Sequence, residues 1–151
     1  MEYLIRTCEK RDLPGLVQLC KAHAAYENSN YDTKNKIEAL NNAIFSTAPQ
    51  LYVHVIESQK MLVGYFSFTY DFSTWDAQKF MYLDCLYLEP NFRNSGIGSV
   101  ILQNLETIAK QNNCLNIQWQ TPAWNEIAIK FYNKNGAIGY DKVRFIQMVK
   151  L

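Results

Sequence analysis

Arg93-Asn94-Ser95-Gly96-Ile97-Gly98-Ser99 is the stretch of this sequence best equipped for chemistry. A hydrophobic run, Phe80 to Leu88, precedes it, and Ile101, Leu105 and Ile108 follow at helical spacing. Strand, glycine loop and helix in that order aim free backbone N–H groups and the positive end of a helix dipole at an anion. Gly96 and Gly98 let the backbone approach a phosphate with no Cβ in the way, and Arg93 adds a planar, permanent cation. The loop is expected to bind a phosphorylated ligand. It lacks the Lys-Ser/Thr ending of a P-loop, since Ser99-Val100 follows Gly98. It also departs from the dinucleotide fingerprint: Ile101 stands where a third small residue is needed, and Asn116-Ile117-Gln118-Trp119-Gln120 offers no carboxylate.

These residues need a scaffold. Tyr3 to Thr7 reads as a first strand. Asp12 suits the N-cap of a helix entered through Leu13-Pro14 and continued through His23-Ala24 to a polar loop at Tyr26–Asn30. Thr33 is expected to cap a second helix through Ile37, Leu40 and Ile44, closed by Thr47-Ala48-Pro49. Leu51 to Glu57 and Met61 to Tyr70 read as a hairpin around Ser58-Gln59-Lys60, with Gly64 marking a bulge or a tight contact. Asp71 to Gln78 reads as a loop and Lys79 to Leu88 as a strand, broken by Glu89-Pro90-Asn91. A strand over Cys114 to Gln120, a helix from near Asn125 to Asn135-Gly136, and a last strand over Lys142 to Val149 complete the chain. The order β-α-α-β-β-β-α-β-α-β predicts a mixed α/β (α+β) domain, a central mixed sheet flanked by helices.

The totals exclude several classes. The chain has 151 residues, 48% of them hydrophobic and 19% charged, which suits one globular domain rather than a disordered segment. A net charge of +1 offers no basic face for nucleic acid. No stretch approaches the ~20 apolar residues of a membrane span, and MEYLIRTCEKRD is charged where a signal peptide needs an apolar core. Cys8, Cys20, Cys85 and Cys114 form no C-x-x-C pair, so a reduced, cytoplasmic protein with free thiols is expected. His23 and His54 lie far apart without a ligand cluster, so no metal is expected, and each histidine reads as a surface or satisfied core residue.

Arg93-x-x-Gly96-x-Gly98 after a hydrophobic strand resembles the pyrophosphate-binding motif of the GNAT superfamily of N-acetyltransferases, which hold acetyl-CoA, and the element order matches that fold. Ala25-Tyr26-Glu27, Phe68-Thr69-Tyr70-Asp71, Tyr82-Leu83-Asp84 and Trp124-Asn125-Glu126, with Lys130-Phe131-Tyr132-Asn133-Lys134-Asn135-Gly136-Ala137, resemble the spermidine/spermine (diamine) N-acetyltransferase branch. Close relatives of that branch act on other small amines such as thialysine. The similarity spans almost the whole chain, so residues 1–151 are expected to form a single GNAT acetyltransferase domain.

Carried over by position, the resemblance implies that backbone groups of Leu86, Tyr87 and Leu88 pair with the pantetheine arm. Arg93, Asn94, Ser95, Gly96, Ile97, Gly98 and Ser99 would wrap the pyrophosphate, and Asn125, Glu126, Ile127 and Ala128 would flank the cofactor. Tyr132 would sit beside the thioester sulfur. Tyr26, Glu27, Asp71, Asp84, Gln118, Trp119, Gln120 and Asp141 would face the amine substrate. The branch tends to carry Gly-Trp-Arg on the last strand, where this chain has Lys142-Val143-Arg144.

The chemistry suits these residue types. A polyamine is cationic at neutral pH, with lysine-like pKa values of about 10, and carboxylates along a groove would bind it. Attack on a thioester needs the neutral amine. An aspartate such as Asp84 is a weak direct base for so basic a group, so the proton is expected to leave through ordered water. A phenol and a thiol have comparable pKa values, about 10 and about 8.5, which fits Tyr132 to protonate a departing sulfur. The expected function is acetyl-CoA-dependent transfer of acetyl directly to a primary amine of a small polycationic diamine or polyamine. Thialysine, lysine or aminoglycoside acetylation and a non-catalytic CoA-binding module are the alternatives. The resemblance also implies a homodimer, and the apolar Phe145, Met148 and terminal Leu151 are expected to supply a contact for it.

Overall fold

The computed structural model describes residues 2–150. They divide into two compact units, one ending at Gln120 and one beginning at Thr121.

The first unit is a five-stranded sheet ordered β1-β2-β3-β4-β5. Its strands are β1 (Leu4–Thr7), β2 (Tyr52–Ser58), β3 (Met61–Ser73), β4 (Gln78–Leu88) and β5 (Ile117–Gln118). Pairing is antiparallel from β1 to β4 and parallel between β4 and β5. Alternation along the strands divides the core between the two faces. Ile56, Phe66, Phe68, Met81 and Leu83 pack with Ile97, Ile101, Leu105 and Ala109 of α3 (Ile97–Gln111). Val53, Val55, Tyr65 and Tyr87 pack with Leu13, Leu16 and Leu19 of α1 (Leu13–Tyr26), flanked by Leu40 and Ile44 of α2 (Lys36–Phe45). Each such side chain fully removed from water contributes about 1.5–3 kcal/mol before entropy is counted.

The elements differ from expectation in places where local chemistry was outvoted. Asp12 does precede α1, but its carboxylate makes no bond to that helix. It accepts instead from Arg6 Nη1 at 2.6 Å, Arg6 Nη2 at 2.9 Å and the Glu9 backbone N–H at 2.8 Å. Arg6 also reaches Glu57 Oε2, tying β1 to β2 and to the first turn of the chain. The second helix starts two residues later than a Thr33 cap would place it, after Asn35 in the left-handed region (φ 60°). β3 runs on through Asp71 to Ser73, because Asp71, Phe72 and Ser73 find partners in Phe80, Lys79 and Gln78. The remaining turn, residues 74–77, is closed by a Ser73 Oγ to Asp76 Oδ2 bond of 2.7 Å.

Gly64 answers both expectations. The β2–β3 register shifts beside it, and an added Cβ would meet Tyr87 O at 2.7 Å and Leu88 Cδ2 at 2.6 Å.

The second unit contains α4 (Glu126–Lys134). Asn125 caps it, Oδ1 accepting from the Ala128 N–H at 3.2 Å. Gly136, at φ 87°, ends it with paired bonds to the Asn133 and Tyr132 carbonyls from Gly136 N and Ala137 N. The strand expected over Lys142 to Val149 is not formed: residues 137–150 carry no regular secondary structure. Alternating apolar residues make a strand only where a neighbouring edge takes the backbone bonds, and no described strand pairs with this segment.

Candidate active site

β4 brings most of the candidate residues together, and its open edge is the first feature of the site. β5 pairs with it only at Met81 and Tyr82, after which the two strands have no further ladder partners. Glu89 N donates to Val63 O of β3, so residues of Glu89's parity turn their backbone groups toward β3. Tyr87 therefore faces β3, and Leu86 and Leu88 face the open edge. The Leu88 carbonyl is taken by Arg93 Nε at 2.8 Å. Of the three residues expected to pair with a pantetheine arm, Leu86 is the one whose N–H and C=O both lie open on that edge.

The loop after β4 has the geometry of an anion cradle. A turn at Pro90–Phe92 is locked by Ser95 Oγ donating to Phe92 O at 2.6 Å. Asn94 (φ 57°) and Gly96 (φ 85°) are both left-handed, which turns successive N–H groups to one side. The first amide of α3 to find a backbone acceptor is Val100 N, 3.2 Å from Gly96 O. An added Cβ at Gly96 would meet no atom within 4 Å, so that side of the loop is open space. Open amides at the start of a 15-residue helix fit a pyrophosphate.

Arg93 is not simply a free cation on this loop. Beyond its bond to Leu88 O, its guanidinium lies 4.6 Å from the Tyr26 ring centroid and 5.4 Å from that of Tyr87. It thus joins the loop to the end of α1.

Asp84 occupies the irregularity in the β3–β4 ladder, where Ser67 pairs with Cys85 and Phe68 with Leu83. The bulge leaves Asp84 without a cross-strand partner and turns it outward, so its charge is exposed rather than buried. The Cys85 thiol points at Asp84 Oδ2 from 3.6 Å. Glu27 lies at the end of α1, with Oε1 3.3 Å from His23 Nε2. Gln120 Nε2 donates to the Tyr82 hydroxyl at 2.7 Å and Gln118 Nε2 to Asn116 Oδ1 at 3.1 Å. Trp119 packs against the α3-side core, and Asp71 is exposed along the β3–β4 hairpin. In the second unit Asn125 is buried as a helix cap, and Glu126 and Ile127 are exposed on the first turn of α4. Tyr132 is half-buried with its ring 5.2 Å from Phe131, and Asp141 is exposed in the segment after α4.

His23 is a satisfied core residue, as expected, whereas His54 is not, its Nδ1 being buried without a partner among the described residues. The His23 Nδ1 is 3.0 Å from the Tyr65 hydroxyl, and the His23 ring stacks on Tyr87 with centroids 5.3 Å apart. Burial pushes its pKa below the usual imidazole range, Glu27 and Asp84 pull it back up, and Arg93 lowers it. Among the described residues no three His, Cys, Asp or Glu side chains gather as a metal site would require.

The architecture is a mixed sheet whose fourth strand leaves its β5 pairing after Tyr82 and runs into a glycine loop and a long helix. The chain belongs to the acetyltransferase (GNAT) family, whose model matches residues 4–137, and it is an N-acetyltransferase. It is 28% identical over 142 residues to the thialysine N-epsilon-acetyltransferase of Bos taurus, covering 89% of this chain and 83% of that protein. The fold resembles a possible acetyltransferase from Clostridium difficile 630, with a TM-score of 0.83, 17% identity and 99% of each chain covered. An aminoglycoside N-acetyltransferase in complex with CoA superposes with a TM-score of 0.82 at 15% identity, over 97% of this chain and 95% of that one.

Proposed function

We propose that this enzyme transfers acetyl from acetyl-CoA directly to a primary amine of a small polycationic substrate of the diamine or polyamine kind. The observation that carries the substrate class is the charge around His23: two carboxylates, Glu27 and Asp84, against one cation, Arg93. Arg93 is already engaged with Leu88 O and two tyrosine rings. A cationic chain is what such a site lacks. Acetyl-CoA supplies an activated thioester and a pyrophosphate; the amides of residues 94–99 hold the latter, and the Leu86 N–H faces the edge where a carbonyl oxygen gains charge. Asp84 receives the ammonium and passes its proton to solvent through water, and Tyr132 is the proposed donor to the departing sulfur.

A thialysine-like amino acid is the second reading, favoured by the name of the bovine relative. Release of free CoA thiol from acetyl-CoA tests both across putrescine, spermidine, spermine, lysine, thialysine and an aminoglycoside. Turnover of the diamine and polyamines is expected. Tight CoA binding without turnover of any amine would leave a binding module.

We also propose a homodimer, supported by the exposed apolar Phe145, Ile146, Met148 and Val149 in the segment after α4; Leu151 lies outside the described residues.

A further inference from the structure

We propose that His23 is the positioning residue of the amine site: it holds the Glu27 carboxylate, and its protonation state sets how strongly the site takes a dication. The inference rests on the reading of Glu27 as an amine anchor.

The hydrogen bonds define the neutral form of the ring. A carboxylate only accepts, so the proton of a neutral imidazole sits on Nε2, toward Glu27 Oε1 at 3.3 Å. Nδ1 then accepts from the Tyr65 hydroxyl at 3.0 Å. Both ring nitrogens are satisfied, and stacking on Tyr87 fixes the ring plane. Glu27 thereby loses some of the freedom of an ordinary residue at a helix end before a ligand arrives.

The surroundings make the charge of this ring consequential. Facing it are Glu27 at the end of α1, Tyr65 from β3, Asp84 and Tyr87 from β4, and Arg93 from the loop, with Cys20 and Cys85 behind Tyr65. The Tyr65 hydroxyl is within hydrogen-bonding reach of the Cys20 and Cys85 thiols, and burial raises the pKa of all three groups, so they stay neutral at working pH. The charge balance is then two carboxylates against Arg93. A neutral His23 leaves one negative charge for an ammonium to meet. A protonated His23 cancels it and pairs with Glu27 itself. Amine binding should therefore weaken as pH falls through the lowered His23 pKa. By linkage, a bound dication must depress that pKa by the same factor.

The test uses the whole chain and a bis-quaternary alkane diammonium, which cannot be acetylated and whose charge does not titrate. Its inhibition constant against amine acetylation is followed from about pH 8 to about pH 5, where histidine alone among unperturbed side chains changes charge. The constant is expected to rise severalfold toward low pH. In His23→Gln, whose amide can still donate to Glu27 but does not titrate, that rise should vanish, with the remaining loss falling on KM rather than kcat. Independently of any variant, NMR titration of the two histidines in the unaltered chain should show the His23 midpoint falling when the probe is bound and the His54 midpoint unmoved. A His23 midpoint indifferent to saturating probe, or a pH rise that persists in His23→Gln, overturns the proposal even if the variant is destabilised. A chain that acetylates diamines yet shows no shift overturns the role of His23 alone; one that turns over no amine overturns the underlying reading with it.

Discussion

Cys85 invites a covalent route, since its thiol lies beside Asp84 on the strand that carries the open edge. Its pKa argues otherwise. Burial, with the Asp84 charge added, pushes it up to about 12. At neutral pH such a thiol stays protonated, and the thiolate is the nucleophile. Cys85→Ala is therefore expected to keep acetyl transfer, with kcat changed severalfold at most; transfer abolished while acetyl-CoA still binds would mean an acyl-enzyme. The residues legible in the sequence were those whose meaning is local. The spacing of Arg93, Gly96 and Gly98 predicts an anion loop, and the space that an added Cβ would take at Gly96 is open, as that reading needs. The contacts of His23 with Tyr65 and Tyr87 were not legible, because only the fold brings those strands to it. Arg93 was read half correctly: its position was clear, its engagement with Tyr26 and Leu88 was not.

At the scale of elements, the start of the chain shows how a short-range reading can place a residue and misjudge its work. Asp12 stands where an N-cap should, yet its carboxylate braces Arg6. The side chain is 6% exposed, and Arg6 holds its pKa below the usual carboxylate range. A depressed folded-state pKa contributes stability that is fully present above the unfolded value of about 3.9 and lost as pH falls through the folded one. Asp12→Asn should therefore lower the melting temperature at neutral pH, and its deficit against the parent chain should shrink as pH drops below about 4. The cost should lie toward the lower end of the ~3–5 kcal/mol typical of breaking a buried pair, because Glu57 still holds Arg6. Melting curves from neutral to acid pH check this, and a pH-independent deficit would assign the loss to packing. Strand boundaries were misread for a related reason. Asp71, Phe72 and Ser73 look like loop in isolation and become strand because β4 supplies partners.

For the molecule as a whole, the order of helices and strands was readable through α4, since each long element carries its own period and its own breaks. The segment after α4 was not. Its Val143, Phe145, Ile146, Met148 and Val149 have the composition of a strand, but pairing is a property of two segments and no described strand takes it up. Light scattering at dilute concentration checks the proposed homodimer, for which a species of twice 17.6 kDa is expected; a clean monomer would remove it. The substrate class is decided by kinetics. Carboxylates at Glu27 and Asp84 favour a second positive charge. A pair at the exposed Asp84 is worth about 0–1 kcal/mol and one at the half-buried Glu27, with a charged hydrogen bond, about 1.5–3 kcal/mol, and screening weakens both as salt is added. The most direct measurement is kcat/KM, read as CoA thiol release, for a diamine, a monoamine of equal length and thialysine at low and high ionic strength. The diamine should lead at low salt and its advantage over the monoamine should narrow at high salt; a clear preference for thialysine, whose carboxylate those acidic residues should repel, would contradict the polycation reading.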